Sequence, residues 1–480
     1  SLLSAYKELK LTCKSRNVVK KSVDDGFDIV IGNPPYVRHE KIKNLKPDLQ
    51  KQKYEVFTST ADLYVYFYEK GYKLLKDKGI LSFITSNKWM RAKYGQNLRK
   101  FLKNDTTILE IIDFGGYPVF EQTVDTSIVL FRKEKPSLNH YLRYAIVPSD
   151  LENHSQAVEY IKNSLKTNRL LQSKLSESAY TLADDRVLKL KEKIERIGKP
   201  LKEWDVKIYR GVLTGFNEAF IITTEKRNEI LANCKDEEER RRTEEIIKPI
   251  LRGRDIGRYY YKWAGLWLIK IEAGWTNKNR GKLDPETFFK SQFPALYDHL
   301  MSFKDYKGKG KGLFARDDKG DYWWELRHCD YYPEFEKEKI VFNQITQDYS
   351  FAFDNNKIYV NQSSYIMTGQ NLKLILAILN SSFVKFVYKN LYSGGGIDGE
   401  ITIFTLEQLP IPPITPQNQH IASKIEEKVN QILSITQSED YPENPQKQEE
   451  VKKLEKEIDQ LVYKLYGLTE EEIRIVEGEL

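Results

Sequence analysis

The sequence predicts an α/β domain, read as a partial doubly wound sheet, followed by an α+β domain that closes with a helical hairpin. Three observations carry this. Between residues 27 and 131, short apolar runs alternate with helical patterns, as strands linked by crossovers do. From about residue 201 aromatic residues return at high density, broken by turns at Gly211, Gly215, Gly253 and Gly257. At the end, Ile421, Ile425, Val429 and Ile432 form one apolar stripe at helical spacing, and Val451, Leu454, Ile458, Leu461 and Leu465 form another.

The elements follow in order. Residues 27–31 (FDIVI) are apolar on both faces, as in a buried parallel strand, and the run stops at Gly32. Residues 61–78 read as a helix, with Leu63, Phe67, Leu74 and Leu75 near one face and Gly79 placed to cap it. Strands are expected at 80–85, 108–114 and 126–131, with a short helix at 97–102. This is about half of a full doubly wound domain. Residues 136–200 lose aromatics and gain Ser, Asn and Lys, which reads as a helical linker with a helix over 184–197. In 201–480, strands are expected at 218–223, 267–271, 339–343 and 350–354, with a helix at 372–380. Helices at 418–436 and 446–466, joined by a polar stretch with two prolines, form the hairpin. The expected domains are therefore 1–135, 136–200 and 201–480.

Composition narrows the classes of function. The chain has 480 residues, with 76 Lys+Arg against 69 Asp+Glu, a net charge of +7. With 40% hydrophobic and 30% charged residues, it has the balance of a globular chain and not of a disordered one. It lacks the apolar run of about 18 residues that a membrane span needs, and no signal-like start precedes the first strand. Cys13, Cys234 and Cys329 are far apart and form no C-x-x-C pair, so neither a disulfide framework nor a zinc site is expected. No paired-acid-plus-Lys metal site stands out either. A reducing cytoplasm fits. The 30 Tyr, 22 Phe and 7 Trp fill cores first. Interleaved with Lys and Arg, they also suit stacking on bases.

One motif carries chemistry: Asn33-Pro34-Pro35-Tyr36, directly after the first strand. Ligands of open α/β sheets bind at the carboxyl ends of strands. The residue types suit the holding of a planar amino group. The Asn33 side-chain oxygen accepts one N–H and the Pro34 carbonyl the other. Proline stiffens the turn and has no N–H to compete. With both hydrogens engaged, the amine is drawn towards tetrahedral geometry and its lone pair points at an incoming methyl group. Tyr36 stacks on the ring that bears the amine. The bland alternative is a proline turn with a packing tyrosine.

FDIVIGNPPYV resembles the catalytic motif of adenine-specific DNA amino-methyltransferases. ADLYVYFYEKG, GILSFITSNKWM and IIDFGGYPVFEQTVDTSIVLF resemble, in order, the following segments of TaqI-like and type IIG restriction–modification methylases. RGVLTGFNEAF, ILRGRDIGRY, LILAILNSSF, LEQLPIP and IDQLVYKLYGL are similar to pieces of the TaqI-like specificity domain and its ending. The resemblance implies S-adenosylmethionine as methyl donor, double-stranded DNA as substrate and a bacterial or archaeal cytoplasm. It makes 1–135 the later half of a methyltransferase domain and 201–480 a target-recognition domain. It gives Phe120, or more weakly Tyr117, the role of stacking on a flipped base. Two departures stand out. The family's glycine-rich cofactor loop and ribose-binding acid are not visible, and only 26 residues precede the first strand. The chain is therefore expected to be cut within the catalytic domain, to lack most of the cofactor site and to be inactive alone.

Other readings stay open beside this one. The same amine-holding logic serves amino-cytosine transfer and glutamine methylation in proteins, although glutamine methyltransferases lack a large second domain. Carbon-5 cytosine chemistry needs a thiolate, normally after a proline, and the three cysteines follow Thr, Asn and His. A DNA-binding specificity module without activity is the alternative of a different class. For DNA contacts the candidates are Arg252, Arg254 and Arg258, with Lys307, Lys309 and Lys311 of KGKGK. The opposing readings are a structural turn in which Arg254 pairs with an acid, and a surface loop. Asn87 or Lys88 is expected near the target base, Asp62 as an N-cap or a site residue, and Trp323 and Trp324 in the core.

Overall fold

The structure is a computed structural model that describes residues 26–120, 125–183, 185–306, 311–344, 349–393 and 401–478. The chain divides into two compact units, Ser1–Leu182 and Ala183–Leu480.

The first unit is built on a six-stranded sheet in the order β1-β2-β4-β3-β5-β6. Its elements are β1 (Phe27–Gly32), α1 (Leu63–Leu74), β2 (Leu75–Ser86), α2 (Gln96–Asp105), β3 (Thr107–Asp113), β4 (Thr126–Arg132), β5 (Tyr141–Ile146), α3 (His154–Thr167) and β6 (Arg169–Leu171). β1 and β2 are parallel, as are β3 and β5, while β4 runs antiparallel between β2 and β3. The carboxyl ends of β1, β2, β3 and β5 therefore share one edge, where β4 begins.

Three expectations change here. Gly79 does not cap a helix. α1 ends at Leu74, and Gly79 lies in a bulge of β2, where the register passes from Phe27↔Leu75 to Ile29↔Ile80. A Cβ at Gly79 would sit 2.8 Å from the Phe27 carbonyl oxygen, so the close approach of the strands requires glycine. Nor is β1 buried on both faces. Among the described residues only β2 pairs with it, and Ile29 and Ile31 are 65% and 79% exposed. Residues 136–200, expected as a helical linker, instead supply β5, α3 and β6. Leu142 and Tyr144 turn inward while Tyr141 and Arg143 turn outward, the two-residue period of a half-buried strand.

The second unit opens with α4 (Asp185–Ile197), one residue from the expected start. Its strands are β7 (Lys199–Pro200), β8 (Val206–Arg210), β9 (Ile221–Thr223), β10 (Ile247–Leu251), β11 (Leu266–Ile269), β12 (Lys339–Asn343), β13 (Phe351–Asp354), β14 (Tyr359–Val360), β15 (Ser364–Gly369) and β16 (Pro410–Ile411). They form sheets β14-β10-β11-β9 and β13-β12-β15-β8, with β16 and β7 as a pair. The expected strand at 218–223 begins instead as a helical turn, Asn217–Phe220. Among its helices are α5 (Leu372–Asn380), α6 (Gln419–Thr436) and α7 (Pro445–Leu465), the last two being the hairpin.

Strand alternation splits the interior in two. Ile340, Phe342, Phe351, Phe353, Tyr365 and Met367 face a core shared with α5, α6 and α7. Their neighbours Val341, Ala352 and Ile366 face a second core with Ile250, Leu251, Leu268 and Ile269. At one end of this layer Lys339 and Asp354, cross-strand partners, form a fully buried ion pair. Asp354 also accepts from the Tyr261 hydroxyl and two backbone N–H groups, so the pair is well satisfied. Among the described residues, no single helix is long and apolar enough to cross a membrane.

Candidate active site

β1 delivers Asn33, Pro34, Pro35 and Tyr36 to the edge where the parallel strands end. Pro34 is buried, Asn33 and Pro35 are exposed, and Tyr36 is half-buried. Among the described residues, neither the Asn33 side chain nor the Pro34 carbonyl has a hydrogen-bond partner, which leaves both acceptors open. The Val37 N–H donates to the Pro35 carbonyl at 3.0 Å and closes the turn. Two bonds fasten it from behind. Leu63 N donates to the Val37 carbonyl at 3.0 Å, and His39 N donates to Asp62 Oδ1 at 2.9 Å. Asp62 does stand at the N-cap position of α1, but its side chain holds the motif's downstream backbone and not its own helix.

The Tyr36 ring lies 6.4 Å from that of Tyr64, edge-on at 87°, and 6.4 Å from that of Phe120 at 59°. Among the described residues its buried hydroxyl has no hydrogen-bond partner, and burial pushes the phenol up to about 12. Tyr36 therefore offers a ring and not a proton. Phe120 is the residue brought to the motif. Tyr117 packs instead with Ile112, Phe114 and Ala145, its hydroxyl 3.0 Å from His154 Nδ1.

A second row of polar groups lines the same edge. Asn87, after β2, is buried and donates Nδ2 to Asp113 Oδ1 at 2.8 Å. Arg91 donates Nη2 to Asp113 Oδ2 at 2.6 Å, and Gly115 N donates to Oδ1 at 3.0 Å. Lys88 is exposed. Beneath it, the buried Arg99 donates to four carbonyl oxygens, those of Trp89, Ala92, Glu177 and Ser178. With no carboxylate beside it, burial lowers its guanidinium to about 10. Gly95 makes room for this clamp, since a Cβ there would meet the Trp89 carbonyl oxygen at 2.0 Å. Sequence reasoning missed Asp113, Arg91 and Arg99. The one signal was an acid closing an apolar run before Gly115-Gly116.

Comparison with known proteins bears on this geometry. Residues 4–120 match the Eco57I restriction-modification methylase family, and residues 248–411 match the TaqI-like C-terminal specificity domain. Over these two segments the chain is similar to the TaqI-like restriction–modification methyltransferases. It is 24% identical over 452 residues to the type II restriction enzyme and methyltransferase RM.Eco57I of Escherichia coli, covering 86% of this chain and 43% of that one. It is also 24% identical over 475 residues to the type II methyltransferase M.BstVI of Geobacillus stearothermophilus, covering 95% and 76%. The type IIL restriction-modification enzyme MmeI, solved in complex with DNA, shares the fold with a TM-score of 0.58 at 15% identity, over 94% of this chain and 56% of that one. The chain thus spans less than half of RM.Eco57I and three quarters of M.BstVI.

The methyl donor that this family implies can be tested against the described residues. β1 is an edge strand of the described sheet, and the Asp113 carboxylate is already engaged. Among the described residues these groups do not make up a site for S-adenosylmethionine.

In the specificity segment the three arginines part company. Arg252 is held by Asp255 through Nε at 3.0 Å and Nη2 at 2.8 Å, in a turn that Asp255 also caps. Arg258 lies 2.9 Å from Glu455 Oε1 and donates to the Asn380 carbonyl. Arg254, a DNA-contact candidate whose opposing reading is a pairing with an acid, is exposed and makes no ion pair among the described residues. Lys311 pairs with Asp317 at 2.7 Å on the surface, while Lys307 and Lys309 lie outside the described residues. Trp324 is buried and stacks on Phe289 at 5.0 Å, and Trp323 stacks on Phe314 at 4.2 Å.

Proposed function

We propose that this chain supplies the target-base half and the specificity domain of an S-adenosylmethionine-dependent adenine-N6 DNA methyltransferase of a type II restriction–modification system. The observation that carries the reading is the pair of open acceptors, Asn33 Oδ1 and the Pro34 carbonyl, beside a Tyr36 ring with an idle hydroxyl. A base within the duplex cannot reach them, so the adenine is flipped out. Asn33 and Pro34 accept its two amine hydrogens, Pro35 fixes the turn, Tyr36 stacks on the ring and Phe120 closes the other face. The methyl group comes from S-adenosylmethionine. No protein nucleophile is required, and burial pushes the thiols of Cys234 and Cys329 up, away from the reactive form. The second unit grips double-stranded DNA, with Arg254 the arginine free to reach a base edge and Lys307, Lys309 and Lys311 beside phosphate.

A second reading is a DNA-specificity module that is inactive as this chain alone. The test is incubation with tritiated S-adenosylmethionine and duplex DNA, followed by nucleoside analysis. N6-methyladenine is expected from the full-length protein. N4-methylcytosine, or methylglutamine in a peptide substrate, overturns the assignment. Methylation by this chain alone overturns the second reading.

A further inference from the structure

The segment that leaves the motif is strongly basic. Residues 38–53 carry Arg38, Lys41, Lys43, Lys46, Lys51 and Lys53 against Glu40 and Asp48. Sixteen residues thus hold a net +4, while the whole chain of 480 holds +7. All of these cations except Lys46 are exposed. Among the described residues Arg38, Lys41, Lys43 and Lys53 make no ion pair, and the only one on these exposed cations is Lys51 with Asp48 at 3.4 Å.

The segment is also anchored. Ile42 and Leu49 are buried, one in the turn His39–Leu45 and one in the helix Lys46–Lys51. Lys46 turns inward to donate to the Ala61 carbonyl and the Tyr66 hydroxyl. Asp62 holds the His39 N–H, and Glu69 accepts from Val56 N at 3.0 Å. The remaining cations are therefore presented on a fixed backbone, which lowers the ordering cost of binding a polyanion. Arg38 follows Tyr36 by two residues, at most about 7 Å along the chain. A nucleotide seated at the motif would bring its own backbone to this surface, since duplex DNA carries a charge about every 1.7 Å of axis.

We propose that residues 38–53 form a phosphate-backbone clamp on the catalytic unit, which grips DNA without regard to sequence beside the extruded base. This rests on the reading of Asn33–Tyr36 as a DNA-base site and adds a second, sequence-blind grip to that of the specificity domain.

The test uses the full-length protein, a fluorescent duplex of mixed sequence and a salt titration. Lys41→Ala/Lys43→Ala should lower affinity and reduce the log–log salt slope by about 1.8, at about 0.9 per lost phosphate contact. Lys452→Ala/Lys453→Ala on α7 removes the same charge elsewhere and should leave the slope unchanged. Equal effects from both pairs, or none from the first, overturn the clamp. So does a first pair that loses binding to phosphatidylglycerol vesicles while keeping its DNA affinity. A wild type that methylates adenine while Lys41→Ala/Lys43→Ala binds DNA normally sinks the clamp alone. A wild type that binds no DNA and modifies a peptide sinks the base-site reading as well.

Discussion

Asn87, just after β2, and Asp113, at the end of β3, meet across the start of the intervening β4 through a 2.8 Å hydrogen bond with both side chains buried. Arg91 completes the arrangement from the same turn as Asn87. Removing the carboxylate would strand a guanidinium whose side chain is only 12% exposed. Asp113→Ala should cost about 3–5 kcal/mol, measurable by urea unfolding of the first unit's signal. Arg91→Met in the same background should restore part of it. No restoration would show that Asp113 acts through Asn87 and Gly115 alone.

For the motif, Asn33→Ala in the full-length protein should reduce methyl transfer at least about a hundredfold while leaving DNA affinity largely intact. Filter binding and a tritium-transfer assay separate the two. Unchanged turnover would remove Asn33 from the site.

Tyr36 is expected to act through its ring. Tyr36→Phe deletes a buried hydroxyl that has no partner among the described residues, so it should keep activity and match or exceed wild-type stability by up to about 1 kcal/mol. Tyr36→Ala should lose transfer. A Phe variant as inactive as the Ala variant would assign the hydroxyl a role.

Two arginines two residues apart should behave oppositely. Arg252→Ala breaks the bidentate pair with buried Asp255 and should lower the melting temperature of the second unit. Arg254→Ala should leave melting unchanged and weaken DNA binding, by about 1–3 kcal/mol if it reads a guanine. Calorimetry with a binding titration on each variant gives both readings.

Acid should weaken the second unit through His299. Its Nε2 lies 3.0 Å from the Ala219 carbonyl oxygen, and burial lowers its pKa, with that hydrogen bond opposing. The unfolded chain binds the proton more readily. Stability from this group is therefore complete above about pH 6.5 and is lost as pH falls through the folded value. His299→Gln should flatten the pH dependence of unfolding in that window. An unaltered slope would locate the acid sensitivity elsewhere.

Much of the site was legible because its chemistry is local. Asn33 to Tyr36 are contiguous, and the apolar run before them announces a strand end. α6 and α7 were legible for the same reason, since a stripe such as Val451, Leu454 and Ile458 repeats along one helix. What depends on distant partners was not legible. Nothing near Arg99 in the chain tells of carbonyls at Glu177 and Ser178, and nothing near Arg258 tells of Glu455. β5 was missed because its alternation is that of an edge-like strand in a polar stretch, a weaker pattern than the buried runs of β2 or β3.

The layer of β12, β13 and β15 has apolar residues directed to both sides, so it works as a party wall between two rooms. Neither room can lose it and stand. A cut that frees the C-terminal hairpin would bare Ile340, Phe342 and Met367, and strands left half-wet would loosen their grip on Val341 and Ile366 behind them. The helices at the far end of the chain and the sheet that carries the arginine turn should therefore melt together, in one transition.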